Sequence, residues 1–357
     1  MDMDGRMETP HAPGLYDVMR TIALEPDMAK VRLHADNHIR SVPPQQALAA
    51  AAALNFAHPF YLPTMDDLSA GRLGVNLDQF SELVMRARLT ASRARQPNIL
   101  VACAPKSAST FIAGALCKAL DIPQVSLATP TYSAYSGSVL GANLREQETD
   151  DLALLRNGLN ERGYVAQHHI RCTPFLARQI ALYGIKPIVT VRNIFDTLVS
   201  LDDMLLQWRA VDLPGNPAFF DDGMPATYTR LDDEARFDML TDATCVWYVK
   251  FLLSWQKCEA AGLVSPLWVS YEDDFIADKE RLGTRIADFI GSENADAGQI
   301  AACFADTRNG AALRLNKGVA GRGDKIPAKT RERIVAICRC YAGEGDLRPL
   351  LGKEFVA

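Results

Sequence analysis

Four stretches of the chain gather residue types suited to chemistry on an anion. Lys106, Ser107, Ser109 and Thr110 crowd a cation and hydroxyl groups into one short segment with Ala108. Arg192 is followed by Ser200. Arginine suits a phosphate because its planar fork meets two oxygens with parallel bonds. Gln167-His168-His169-Ile170 offers an imidazole, whose ordinary pKa of about 6.5 suits it to take a hydroxyl proton near neutral pH. Lys317, Gly318, Gly321 and Arg322 combine basic groups with glycines, which let a backbone wrap closely round an anion. Together these residue types suit the binding of a phosphate or sulfate group.

The elements needed to hold these groups can be read around them. Ile99–Cys103 is an apolar run without helical period, as in a strand buried on both faces of a parallel sheet. Ala104 and Pro105 end it. After the polar loop, Phe111, Ile112, Ala115, Leu116, Ala119 and Leu120 recur as one face of a helix. A strand, a small polar loop and a helix aim unpaired backbone N–H groups at one point, where an anion fits; Ser, Thr and Lys also serve such turns simply as caps and solvated residues. Gly163–Gln167 reads as a strand with His168 and His169 at its carboxyl end, and adjacent residues there face opposite ways. Lys186–Val191 is a further strand, and Asn193 after it can cap a helix with Asp196 at its third position.

The loop lacks the GxxxxGK[ST] pattern of nucleoside-triphosphate sites. As PKSASTF it resembles the 5′-phosphosulfate loop of the PAPS-dependent sulfotransferases (PAPS, 3′-phosphoadenosine 5′-phosphosulfate), with Ala108 where that family usually has glycine. The segment beginning at Arg192 resembles the family's RNPxDxxVS motif, with Ile194 in place of proline. Three looser similarities follow the same order: QHHI resembles KTHLP, VSYEDDF resembles the family's FYEDM stretch, and NKGVAG resembles RKGxxG. The resemblance covers roughly residues 97–345. It implies a five-stranded parallel sheet flanked by helices, the P-loop-like sulfotransferase fold. It further implies that Lys106, Ser107, Ala108, Ser109 and Thr110 hold the 5′-phosphate, and that Arg192, Ser200, Lys317 and Gly318 hold the 3′-phosphate. Phe111 and Tyr271 would flank the adenine. His169 takes the place of the family's catalytic base, with His168, Glu146 and Asp202 as the other candidates, and Lys106 also meets charge on the bridging oxygen. PAPS is then the co-substrate and PAP the product, with no metal required.

The rest of the chain sets bounds. Its 357 residues are 48% hydrophobic and 23% charged, the composition of an ordinary globule able to bury a large core. A net charge of −5 argues against a general nucleic-acid binder. Eight cysteines form no CxxC pair and no zinc-like cluster, and several sit among apolar neighbours, as in a cytoplasmic protein with reduced thiols. No apolar run reaches the ~20 residues of a membrane span, and the start has no signal-peptide core. Residues 1–95 read as a helical N-terminal extension, with pieces at Tyr16–Leu24, Gln45–Phe56 and Leu77–Arg93, and residues 96–357 as the sulfotransferase-like α/β domain. The extension suits packing, covering of the substrate mouth or a homodimer contact; His34 and His38, on one helix face, read as surface histidines. Residues 129–160 read as a polar stretch holding Tyr132, Tyr135 and Gly137, with a short helix within it at Asp150–Asn160. Residues 202–242 read as an insertion, with the next helix at Ala243–Ala260. The acceptor, a small molecule or a carbohydrate bearing a hydroxyl or amine, is not legible. Two other readings stay open: a P-loop kinase for a small molecule, against which stands the missing GK[ST], and a family member that binds nucleotide without catalysis.

Overall fold

The computed structural model describes residues 14–58, 77–128, 148–210, 224–225, 227–306 and 320–352. Its centre is a five-stranded parallel sheet of order β2-β3-β1-β4-β5, built from β1 (Asn98–Cys103), β2 (Gln124–Val125), β3 (Tyr164–His168), β4 (Ile185–Val191) and β5 (Leu267–Ser270). Every residue of β1 is buried, which is why its sequence shows an unbroken apolar run rather than alternation. The faces are nonetheless distinct. Ile99, Val101, Val165, Ile188 and Val269 pack on one side, while Leu100, Ala102, Ala166, Val189 and Val191 pack on the other.

The N-terminal stretch contains α1 (Leu15–Leu24), α2 (Met28–Ser41), α3 (Pro44–Ala57) and α4 (Leu77–Ser92). Helices α1 to α3 share a core of their own, made of Val18, Met19, Ile22, Val31, Ala35, Ala53 and Leu54. By contrast, Ala87 and Ala91 of α4 are buried in the same cluster as Leu100 and Tyr164 of the sheet. His34 is exposed, as expected of a surface histidine, but His38 is buried between the helices, which corrects that part of the reading. It follows Val31 and Ala35 on the bundle face, a helical spacing that outweighs its polarity.

Helix α5 (Ser109–Leu120) begins within the sequence loop and α6 (Asp151–Gly158) precedes β3. Helix α7 (Pro174–Leu182) starts at Thr173, whose hydroxyl accepts the Leu176 N–H, and is followed by Gly184 at φ +58°. Helix α8 (Ile194–Ala210) leaves β4. Helix α9 (Asp233–Ala260) starts ten residues earlier than the sequence suggests, so both flanks of the 202–242 stretch are helical. Asp232 caps it by accepting the Ala235 N–H, and Phe237, Leu240, Thr241 and Cys245 face inward ahead of the buried Trp255. Trp247 is only half-buried and stacks on Phe251 at 5.4 Å. A π-type turn (Tyr271–Ile276) follows β5, then α10 (Lys279–Ile290), α11 (Ala297–Ala305), α12 (Ala328–Arg339) and the short α13 (Arg348–Leu351). Helix α11 has no counterpart among the elements expected from the sequence.

Among the described residues, α5, α10 and α11 cover one face of the sheet and α4 and α6 to α9, with α12, cover the other. The chain leaves β1 toward β2 and leaves β4 toward β5, so the two connections diverge between these adjacent strands. A crevice outside the carboxyl ends at such a divergence is the usual ligand position in open α/β sheets. Lys106 and Arg192 both sit there.

Candidate active site at the carboxyl ends of the strands

The loop after β1 holds an unusual backbone. Lys106 and Ala108 have φ of +67° and +62°, in the left-handed region that glycine occupies freely and a Cβ makes costly by about 1–2 kcal/mol. This explains why the related motif usually has glycine at the position of Ala108. Left-handed residues on either side of Ser107 are the kind of backbone from which an anion nest can be built. The N-cap of α5 is Ala108 itself, which has no side-chain acceptor to offer the first turn. Asp150, Thr173, Asp232, Asp278 and Asp296 do cap their helices with a side-chain acceptor. A helix start left open to an outside acceptor favours negative charge.

The loop side chains divide into anchors and exposed groups. Ser107 is buried, donates to the Ala104 carbonyl at 2.7 Å and pairs with the Thr190 hydroxyl of β4 at 2.7 Å. Ser109 is buried and accepts from Gln167 Nε2 at 3.0 Å. Thr110 is half-buried, as is Lys106, whose Nζ reaches Met204 Sδ of α8 at 3.6 Å. Phe111 has no exposed surface and meets Phe275 edge-on at 5.5 Å, inside the core beneath the loop.

Arg192 binds the second motif to the first. Its Nη1 donates to the Lys106 carbonyl at 2.9 Å, and its guanidinium lies 4.0 Å over the Tyr271 ring. The side chain is 6% exposed. Asp196, one turn on, lies 3.9 Å from Nη2. Asn193 caps α8 by accepting the Phe195 N–H at 3.0 Å and the longer Asp196 N–H at 3.4 Å. Ser200 is buried in the same helix. Glu272 accepts the Asn193 N–H at 3.1 Å, and burial raises its carboxyl pKa above the usual range against the pull of these bonds and of Arg192. Burial likewise raises the Tyr271 phenol, with Arg192 opposing it.

The two histidines separate. His168 ends β3, is 5% exposed and accepts the Leu127 N–H at Nε2, 2.8 Å away. Burial first, and then the His169 charge, lower its pKa to about 3, so it stays neutral over the physiological range. It holds the end of β2 rather than presenting a base, and it is therefore not an inert neighbour of His169. His169 is half-buried, with Nδ1 3.0 Å from the Cys103 carbonyl and 3.3 Å from the Cys103 thiol. Asp202 is also removed from the candidate bases. It accepts from the Tyr228 hydroxyl at 2.7 Å and from Arg236 Nε at 2.9 Å, buried between α8 and α9. Glu146, Lys317, Gly318, Tyr132, Tyr135 and Gly137 lie outside the described residues.

Thr190 and Met204, which the sequence did not single out, contact Ser107 and Lys106, while Gln167 and Glu272, present there only as members of motif stretches, bond Ser109 and the Asn193 N–H. Asp196 was legible only as a residue suited to a helix start. It also accepts the Gly321 N–H at Oδ2 and the Gly323 N–H at Oδ1, each at 2.7 Å. No local pattern signals contacts across so much chain. A cleft of about 740 Å³ lies along the edge strand β5, lined among others by Val191, Trp268, Asp274 and Arg285. Its charged groups are paired within the protein, Asp274 with Arg285 and Arg281, Asp346 with Arg348, and Glu259 with the Trp268 N–H. Among the described residues no cluster of three or more His, Cys, Asp or Glu side chains is arranged to hold a metal, and no helix is long and apolar enough to cross a membrane.

No family model matches the chain, and no curated protein matches it. Among solved structures, a mouse sulfotransferase complexed with PAP is similar at 18% identity and a TM-score of 0.42, over 74% of this chain and 94% of that one.

Proposed function

We propose that this protein is a PAPS-dependent sulfotransferase that moves a sulfuryl group to a hydroxyl or amine of a small-molecule or carbohydrate acceptor and releases PAP. The observation that carries the reading is the meeting of three sequence motifs at Arg192. Its guanidinium bonds the Lys106 carbonyl and covers Tyr271, so the loop after β1, the start of α8 and the end of β5 share one centre. In this reading the left-handed loop and the open start of α5 take the 5′-phosphate. Arg192 and Ser200, with Lys317 and Gly318, take the 3′-phosphate that tells PAPS from ATP. Tyr271 takes the adenine side; Phe111, sealed in the core, supports the loop from below.

The acceptor oxygen attacks sulfur while the bond from sulfur to the bridging phosphate oxygen breaks, and the proton passes to His169. The Cys103 carbonyl beside Nδ1 favours the tautomer protonated there, which makes Nε2 the nitrogen that accepts. Lys106 offsets the charge that grows on the leaving oxygen, an interaction stronger in the transition state than in the ground state. A thioether is a weak acceptor, so the Met204 contact opposes this movement little. Eight cysteines without a disulfide accord with a cytoplasmic setting.

The test is transfer from radiolabelled PAPS across phenol, alcohol, sugar and amine acceptors, with ATP in parallel. Labelled product and stoichiometric PAP are expected. Consumption of ATP to give phosphorylated product would make the protein a kinase, and binding of PAP without transfer to any acceptor would make it a non-catalytic nucleotide binder. His169→Ala should lose about 10²–10⁴ in rate with PAP binding intact. If it keeps wild-type turnover while Glu146→Ala does not, the base is the carboxylate and a sugar acceptor is favoured.

A further inference from the structure

Asp196 is placed to do more than favour the start of a helix. It is 3% exposed, yet its carboxylate is shared among three partners, two of them from a single turn far along the chain and one from the residue four positions before it. Two are the Gly321 and Gly323 amides, each at 2.7 Å and one per oxygen, which is the short charge-assisted geometry. The third is Arg192, 3.9 Å away. The turn that supplies the amides approaches α8 closely. Gly321 has φ +79°, and a Cβ on Gly323 would stand 2.5 Å from Phe195 Cβ. The neighbouring side chains secure the same turn: Arg322 reaches Asp203 of α8 at 2.5 Å, and the Arg331 guanidinium lies 5.0 Å over the Phe195 ring. Arg192 meanwhile has one nitrogen on the Lys106 carbonyl and its face on Tyr271.

We propose that Asp196 is the positioning residue for recognition of a 3′-phosphorylated nucleotide, acting by latching the Gly321–Gly323 turn against α8 and by holding the Arg192 fork in register. This rests on the donor reading above. A carboxylate is required because all three neighbours are donors. An amide of the same shape would turn its NH₂ toward one of them, so one contact becomes a clash of donors and Arg192 loses its anionic neighbour.

Asp196→Asn in the full chain tests this with two readouts. The first is hydrogen exchange of the ligand-free protein at Gly321 and Gly323, with amides of β1 and β4 as the measure of global stability. Exchange should rise at least tenfold at the turn, and the strand amides, which lose the same contacts only on global unfolding, should rise by no more than the turn and remain slower than it. The second is calorimetric affinity for PAP and for ADP. The PAP-over-ADP ratio should fall at least tenfold, mainly through weaker PAP binding. Unchanged exchange at the turn would overturn the latch. Faster exchange with an unchanged ratio would overturn the role in recognition and leave a structural contact. Wild-type protein that binds PAP and ADP equally would overturn the donor reading and the selectivity together, and the exchange result would then decide the latch separately. Asp196→Ala, which removes both acceptors, should change both readouts in the same direction and further; a smaller change than in Asp196→Asn would also count against the mechanism.

Discussion

The chain leaves β1 and β4 side by side and places one cation at each exit, but it builds the two exits in opposite ways. After β1 the backbone is strained at Lys106 and Ala108, no side chain caps the helix, and the lysine is half-buried. After β4 the helix is capped by Asn193, and Arg192 is buried against Tyr271 with a carbonyl and a carboxylate beside it. Backbone amides left open and a long flexible ammonium suit a group whose charge moves during a reaction. A braced guanidinium suits one that stays fixed. The stored strain after β1, about 1–2 kcal/mol at each left-handed residue, persists because the Ser107 bonds to Ala104 and Thr190 tie that loop to the sheet.

Removing the cations one at a time should separate the two exits. Lys106→Ala should lower kcat by 10²-fold or more while changing PAP affinity by less than tenfold, because its partner charge develops mainly in the transition state. Steady-state kinetics beside calorimetry decide it, and a loss confined to PAP affinity would make the two exits alike. Arg192→Ala should do the reverse: it should abolish the preference for PAP over ADP in thermal shifts. It should also destabilise the protein by about 2–3 kcal/mol in urea, since it takes from the buried Asp196 its neighbouring cation and removes the bond from Arg192 to the Lys106 carbonyl. Equal stability of the variant and the wild type would show that the bracing of the β4 exit is energetically empty.

The strand on the other side of β1 provides a pH probe. His168 stays neutral in the folded chain down to about pH 3, whereas in the unfolded chain it binds a proton near pH 6.5. Between those values the unfolded state holds more protons, so stability present above pH 6.5 is lost as pH falls, by about 1.4 kcal/mol per unit from this group. His168→Gln, which keeps an acceptor for Leu127 and does not titrate, should flatten that slope in urea midpoints taken from pH 7.5 to 5. Parallel slopes in the two proteins would remove His168 as the cause.

The smallest effect belongs to the strained loop. Ala108→Gly relieves a left-handed alanine and should raise stability by roughly 0.5–1 kcal/mol, after the greater freedom of glycine in the unfolded chain is counted. The same exchange at Ala113, in the middle of α5, should cost about 1 kcal/mol or more. If both substitutions destabilise equally, the loop after β1 is not strained and the contrast with β4 fails.

The parts of the molecule governed by local rules are legible in the sequence. The apolar run of β1, the Asn193 cap, the helical face from Phe111 to Leu120 and the left-handed Gly184 each follow from residues within a few positions of one another. The start of α9 escapes such a reading because its first turns are polar, although Asp232 with Asp233 and Glu234 after it is the usual signal of a helix beginning. His38 is misjudged when polarity is weighed above its spacing from Ala35 and Val31. Asp202 can pass for a base in the sequence, since nothing near it announces Arg236 and Tyr228.

What the sequence determined by itself was the order of the strands and of most helices, and the residue types at the strand ends, because hydrophobic period, caps and breakers act over a few residues. What only the tertiary structure decided was which of those residues share a centre. Arg192 meets the Lys106 carbonyl across 86 positions and Asp196 meets Gly321 across 125, while His168 turns inward and His169 does not. Those outcomes follow from strand order and the twofold alternation of side chains at a strand end, which bring distant segments together by burial and by the need of each buried polar group for a partner.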